Sequence, residues 1–177
     1  MKLKRLPRKT PILIASIVLG LNIITVSALG INKTDTNDTT QVYVVREAQN
    51  EENTMKTIVV EEAIREKEID LMALVTMAEA EGESEYGKRL VIDTILNRVD
   101  SEYFPDTITE VIHQVNAFEA MWNGRVDRCY VDDDIRNLVL EELDNRTNND
   151  VVFFTAGRYS IYGNPMFQEG NHYFSSY

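Results

Sequence analysis

Apolar positions along this chain fall into four helical rhythms followed by a strand-like stretch. Leu71, Leu74, Val75 and Ala78 repeat at i, i+3, i+4 and i+7, while Met72, Val75, Thr76 and Glu79 form an adjoining stripe. That spacing predicts a helix apolar around most of its circumference, placed inside the domain, with Gly82 as its stop. A second helix, about Glu85 to Val99, carries Ile92, Ile95, Leu96 and Val99 at the same spacing. A third comes after Pro105, opens on the capping box Thr107-x-x-Glu110, and is expected to bury Ile108, Val111, Ile112 and Val115. The fourth opens on Asp132-Asp133-Asp134, anions suited to a helix N-terminus, and is expected to bury Ile135, Leu138, Val139 and Leu143. After the turn-rich stretch Asn145 to Asp150 the rhythm changes. Val151-Val-Phe-Phe154 reads as a buried strand, Gly157 and Gly163-Asn-Pro165 punctuate the next stretch, and His172-Tyr-Phe174 reads as a last strand. The predicted fold class is α+β, mainly helical, a single domain over residues 66–177 with a short C-terminal β element.

The chain before that domain is patterned differently. Residues 31–65 are mostly polar, with Val42 to Val45 as a short apolar patch and a helical lead-in from Lys56. This stretch is expected to be a tether. Residues 1–30 pair an apolar run, Pro11 to Leu29, with five preceding cations (Lys2, Lys4, Arg5, Arg8 and Lys9) and no acid. A cleaved export signal and an uncleaved membrane anchor fit that pattern equally, the first helped by Val26-Ser27-Ala28 and the second by the length of the run. Either places the remainder outside the cytoplasm, at the cell-wall face, by the positive-inside rule. The 13 remaining Lys and Arg then face all 29 Asp and Glu. A balance that acidic repels phosphate backbones, so nucleic acid is excluded as a partner.

Cys129 is the one cysteine, so an intramolecular disulfide is impossible, and nothing near it prepares a nucleophile. His113 and His172 are far apart and fit no H-E-x-x-H or H-x-x-E-H spacing, so no metal site and no cofactor is expected.

Glu79 is the candidate with chemistry. It lies in the last turn of a strongly apolar helix, where the partial negative charge of the helix end disfavours an ionised carboxyl. Glu81, Glu83 and Glu85 add like charge nearby, and apolar neighbours favour the neutral form. A carboxyl held protonated near neutral pH can act as a general acid on a glycosidic oxygen. Glu81, about 200° further round a continued helix, should face solvent. The bland alternative is that acids cluster because the domain is acidic.

Five collinear segments carry a resemblance. Met77-Ala-Glu-Ala-Glu-Gly-Glu83 resembles the Y-A-E-A-R-G-E signature of the SleB-type cell wall hydrolases, the family of spore cortex-lytic enzymes. Ile95-Leu-Asn-Arg-Val99 is similar to that family's L-N-R-V helix. Phe104-Pro-x-Thr107-Ile108 with Val111-Ile-x-Gln114 is similar to its F-P-x-T-I-x-x-V-I-x-Q segment. Phe118 and Trp122 fall where it has an aromatic-containing loop, and Gly170-Asn-His172-Tyr-Phe174 resembles its terminal G-x-H-x-F. The resemblance covers about residues 66 to 175. It implies a lysozyme-like fold, peptidoglycan as substrate, and a lytic transglycosylase or muramidase reaction with Glu79 as catalyst. Two positions depart from the signature: Glu81 stands where the family has Arg, and Met77 where it has Tyr. Losing that cation should leave Glu79 more easily protonated. The separate peptidoglycan-binding module that full-length spore enzymes often carry has no counterpart in the sequence.

Glu83, Trp122 and His172 are the candidate substrate contacts, with His172 equally able to orient Glu79 or simply pack. Asn97 and Arg98, late on the second helix, are expected to support loop carbonyls, although Arg98 could also pair with Glu83. Phe118 is expected to fill core. The leading expectation is cleavage of glycan strands. The alternative is a module of the same fold that grips peptidoglycan without cutting it.

Overall fold

The computed structural model describes the backbone of residues 39–177 and side-chain burial from residue 49 onward. The chain divides into two units, Met1–Asn53 and Thr54–Tyr177. The apolar run at residues 11–29 lies outside the described residues, and no helix among those described is long and apolar enough to cross a membrane.

Helix α1 spans Thr39–Ala80. Much of the stretch expected to be a tether is therefore helical, and residues 49–67 are exposed all round. No Gly or Pro interrupts residues 39–80, and Glu, Lys, Arg and Gln are common there, which suits a continuous helix. Burial begins at Ile69. From there Met72, Ala73, Val75 and Ala78 are fully covered, while Leu71 and Leu74 are half-buried.

Helix α2 (Glu85–Val99) is capped by Ser84, whose Oγ accepts the Gly87 N–H at 3.0 Å. Helix α3 (Ile108–His113) is held by the capping box, with Thr107 Oγ1 accepting the Glu110 N–H at 3.2 Å. Single-turn 3-10 segments come next, at Glu119–Met121 and Val126–Arg128. Helix α4 (Asp133–Asp144) is capped by Asp132, which accepts the Ile135 N–H at 3.1 Å. The buried faces of the four helices, with Phe118, make one core: Met72 and Val75 meet Ile92, Ile95 and Leu96, Val111 and Ile112, and Ile135 and Val139. Leu138 and Leu143 are half-buried at its edge. Val115 departs from expectation and is 74% exposed. Helix α3 ends at His113 and Gln114 is extended, so the position one turn further leaves the helix before it can face the core.

Three antiparallel strands, β1 (Phe153–Ala156), β2 (Asn164–Glu169) and β3 (His172–Ser176), form a sheet in the order β1-β3-β2. The first strand begins two residues later than its apolar run suggests. Val151 and Val152 are buried ahead of it, with Val152 N–H donating to Ser175 O at 3.0 Å. Strand β2 carries no apolar alternation. It is an edge strand with Pro165 and a register shift between Pro165 and Phe167, both tolerated only at an edge. Leu90, Val151 and Phe174 form a second, smaller core joining α2 to the sheet.

Polar clamps fix the sheet to the helices. Asn97 Nδ2 donates to Asn148 O at 2.9 Å and Val151 O at 2.8 Å, while its Oδ1 accepts from Arg146 Nη1 at 2.9 Å. Arg98 Nε donates to Val152 O at 2.7 Å, and the guanidinium carbon lies 5.1–5.7 Å from the ring centroids of Phe118, Phe104 and Phe153. Burial pushes this guanidinium down to about 10. Arg98 forms no ion pair with Glu83; it is occupied by a carbonyl and three rings.

Beside this clamp two carboxyls share an interior site. Asp93 is fully buried and Glu142 is 1% exposed. Glu142 accepts from Arg89 at 2.8 Å and from the N–H and hydroxyl of Thr147 at 2.6 and 2.8 Å. Burial pulls Glu142 upward, but those donors outweigh it and leave its carboxyl below the usual range. Burial, then the charge of Glu142 and a hydrogen bond to it, push Asp93 up to about 8. The protonated Asp93 therefore donates to the Glu142 carboxylate while its Oδ2 accepts the Asn148 N–H at 2.7 Å.

Both interior clusters can be probed through stability. Asn97→Ala strands two buried carbonyls and should cost about 2–4 kcal/mol in denaturant unfolding. Asp93 has a folded-state value above its unfolded one. Its contribution is thus complete below about pH 4 and is lost as pH rises towards 8. Melting temperature should fall across that interval in the wild type. In Asp93→Asn, whose amide can make both bonds without titrating, the fall should be smaller.

Candidate active site

Glu79 is the penultimate residue of α1, half-buried, with its side chain turned towards the 3-10 segment that comes after α3. Its Oε1 accepts the backbone N–H of Ala120 at 2.8 Å. Burial is the largest influence and raises the carboxyl. The Ala120 N–H opposes this, the charge of Glu119 reinforces it, and Arg125 opposes it, leaving Glu79 above the ordinary glutamate value. The reinforcing like charge therefore comes from Glu119, across the fold, rather than from Glu81, Glu83 or Glu85. Nor is the neighbourhood without a cation. Glu81 faces solvent and pairs with Arg125 at 3.4 Å, so an arginine of the loop stands near the position where the signature would carry its own.

Trp122 closes the same 3-10 segment two residues after Ala120 and is 57% exposed, its ring free to present a face. Phe118, 1% exposed, anchors that segment in the core. The same short turn that donates to Glu79 thus also carries Trp122.

Glu83, expected as a substrate contact, is held by the hairpin in this structure. Its two oxygens accept from Asn171, Nδ2 at 2.9 Å and the backbone N–H at 3.2 Å. Gly170 beside it has φ +55° and an added Cβ would fall 1.7 Å from Glu83 Oε2, so only glycine fits this turn between β2 and β3. Burial raises Glu83, but the side-chain and backbone bonds from Asn171, then the charge of His172, prevail and hold it below the usual range. Ser84 Oγ donates to Glu169 Oε1 at 2.7 Å, adding a second tie between the end of the α1–α2 turn and the hairpin.

His172 opens β3, is 7% exposed, and packs 5.0 Å from the Phe154 ring. Burial lowers it and Glu83 partly offsets this. It makes no hydrogen bond to Glu79; the Ala120 N–H orients that carboxyl instead. Through Phe154, whose ring centroid is 6.0 Å from that of Phe118, His172 supports the wall behind the site. Ala120, Glu119 and Arg125 were not legible as site residues, because a backbone donor and loop charges leave no mark in a periodic pattern. Among the described residues no group of His, Cys, Asp and Glu is arranged to hold a metal ion.

Known proteins resemble this chain in sequence and fold. The family model described as Cell Wall Hydrolase matches residues 82–175, a segment that begins three residues after Glu79. A spore cortex-lytic enzyme of Oceanobacillus iheyensis is 33% identical over 115 residues, covering 62% of this chain and 41% of that protein. One from Halalkalibacterium halodurans is 35% identical over 101 residues, covering 56% of this chain and 30% of that protein. The chain thus spans less than half the length of either relative. The catalytic domain of the Bacillus cereus SleB protein superposes with a TM-score of 0.56 at 27% identity, over 63% of this chain and 91% of that one. The catalytic domain of the germination-specific lytic transglycosylase SleB from Bacillus anthracis gives 0.53 at 26% identity, over 62% and 93%. With its three-stranded sheet against a helical core and a matched segment covering more than half its length, the chain belongs to the Cell Wall Hydrolase family.

Proposed function

We propose that this protein cleaves the glycan strands of peptidoglycan between N-acetylmuramic acid and N-acetylglucosamine, as a lytic transglycosylase, with Glu79 as general acid and then general base. The observation that carries this reading is a half-buried carboxyl, raised above its usual value, with one oxygen held by a backbone N–H. The held oxygen fixes the orientation of the carboxyl, and the other oxygen carries the proton. That proton passes to the bridging oxygen as the bond to the muramic acid C1 breaks, leaving an oxocarbenium-like centre. The Glu79 carboxylate then takes the proton from the muramic acid C6 hydroxyl, whose oxygen closes on C1 to give a 1,6-anhydro ring. The sugar supplies its own nucleophile, so one carboxyl suffices.

Glu83 is not free to act as a second catalytic carboxylate. Hydrolysis needs a second carboxylate free to activate water or attack the sugar. Both oxygens of Glu83 are engaged by Asn171, which favours a role in holding the hairpin. Trp122 offers an aromatic face for a sugar ring beside the acid. The apolar run behind five cations at residues 1–30 supports delivery to the wall side, as a secreted or membrane-tethered protein.

Glu79→Gln should lower release of soluble muropeptides from purified sacculi by about 10²–10⁴-fold. Mass spectrometry of wild-type products should show anhydro ends; reducing ends would defeat the transglycosylase reading, and unchanged turnover by the Gln variant the assignment of Glu79. The acid must start protonated, so kcat/KM should fall as pH rises through the raised value of Glu79. Arg125 lowers that value, so Arg125→Gln should move this alkaline limb to higher pH, and Glu119→Gln should move it to lower pH.

A further inference from the structure

A cavity of about 700 Å³ lies between the segment Gln114–Ala117, strand β1 and the loop after it. Its volume suits a disaccharide, since ligand pockets commonly enclose about 300–1,000 Å³. Two of its lining residues connect it to the elements that hold Glu79. Ala117 lines it three residues before the Ala120 N–H that holds Glu79, and Phe154 lines it while packing against Phe118 and His172. The amides of Gln114 and Asn116 and the rings of Phe153, Tyr159 and Tyr162 give the mixture of donors and flat apolar faces that sugars use. Asn116 has φ +61°, the left-handed conformation that Asn adopts more readily than most residues, and this fixes the bend of the segment that lines the cavity.

The charge of this lining is unlike the rest of the molecule. The chain carries a formal net charge of −11, yet no Asp or Glu lines the cavity and two arginines do. Arg98 is committed to Val152 O and three aromatic rings. Arg158 is exposed and has no ion-pair partner among the described residues. Its own turn is fixed, because Thr155 Oγ1 donates to Arg158 O and Gly157 takes φ +77°. A guanidinium is well fitted to a carboxylate, and in an otherwise acidic protein a local cation favours an anionic group at this point of the surface.

We propose that this cavity is a substrate subsite in which Arg158 pairs with a carboxylate carried on the glycan strand, either the lactyl carboxylate of muramic acid or one on its attached peptide. This deepens, and rests on, the reading of the chain as a glycan-strand enzyme. Arg158 is a specificity residue: it selects anionic over neutral strands and takes no part in the bond cleavage.

The test uses the full chain carrying Glu79→Gln, with and without Arg158→Gln or Arg158→Lys. Binding is measured to three probes: peptide-bearing glycan strands, strands stripped of peptide so that the lactyl carboxylate is free, and neutral N-acetylglucosamine oligomers. Arg158→Gln should weaken binding to the anionic strands by about tenfold, in a salt-sensitive way, while leaving the neutral oligomers unchanged. Arg158→Lys should recover most of the loss. Loss on stripped strands assigns the lactyl carboxylate, and loss confined to peptide-bearing strands assigns the peptide. Binding of all three probes left unchanged by Arg158→Gln, or an equal loss on the neutral oligomers, overturns the proposal. In the otherwise wild-type chain Arg158→Gln should raise KM on sacculi with kcat unchanged. Turnover by Glu79→Gln would defeat the catalytic assignment while leaving the binding difference readable.

Discussion

The contact on which the site turns is the single hydrogen bond from the Ala120 N–H to the Glu79 carboxyl. It joins the end of a helix to a one-turn segment that has almost no internal structure of its own. A carboxyl in that place with no donor would rotate freely, and one with donors on both oxygens would be held ionised. One donor on one oxygen fixes direction and leaves the other oxygen able to keep a proton. Burial then sets the balance towards the neutral form, with Glu119 and Arg125 as smaller opposing charges.

That arrangement needs a wall that does not move, and the wall is made by polar side chains late on α2. Asn97 and Arg98 reach across to the carbonyls of Asn148, Val151 and Val152, just where the chain turns into β1. The sheet is therefore positioned by hydrogen bonds from a buried amide and a buried guanidinium as much as by its small apolar cluster. Arg98 adds a second function in the same position, since its guanidinium lies over the rings of Phe104, Phe118 and Phe153 and ties the loop before Ala120 to the strand. A charged group is tolerated there because its donors and its flat faces both find partners.

Local signals were legible where one residue type satisfies one backbone need. Thr107 and Glu110 announced α3, Asp132 announced α4, and the apolar stripes of α1 and α2 announced the core. What was not legible depends on partners far along the chain. Strand β2 exists because β3 offers it an edge, not because Asn164–Glu169 alternates. Val115 is exposed because α3 stops at His113, and the part of α1 before Ile69 is helical although it is exposed. The acid was visible through its place at a helix end, but its controlling neighbours, Ala120, Glu119 and Arg125, arrive from a loop whose path no period predicts.

Glu79 and Glu83 show most directly how one sequence of acids is sorted into different tasks. They stand four residues apart, both near the end of one helix, and composition alone treats them as equivalent. The chain breaks at Ala80, so they do not share a helical face, and each meets a different partner. Glu79 meets one backbone N–H and apolar cover, and its value rises. Glu83 meets the backbone and side chain of Asn171 in a turn that only glycine can complete, and its value falls. Two carboxyls whose environments push them in opposite directions are a pair with separable roles. On the proposed reading, the carboxyl whose value is raised is the one that gives a proton to a leaving oxygen. The one whose value is lowered ties the α1–α2 turn to the hairpin that carries His172.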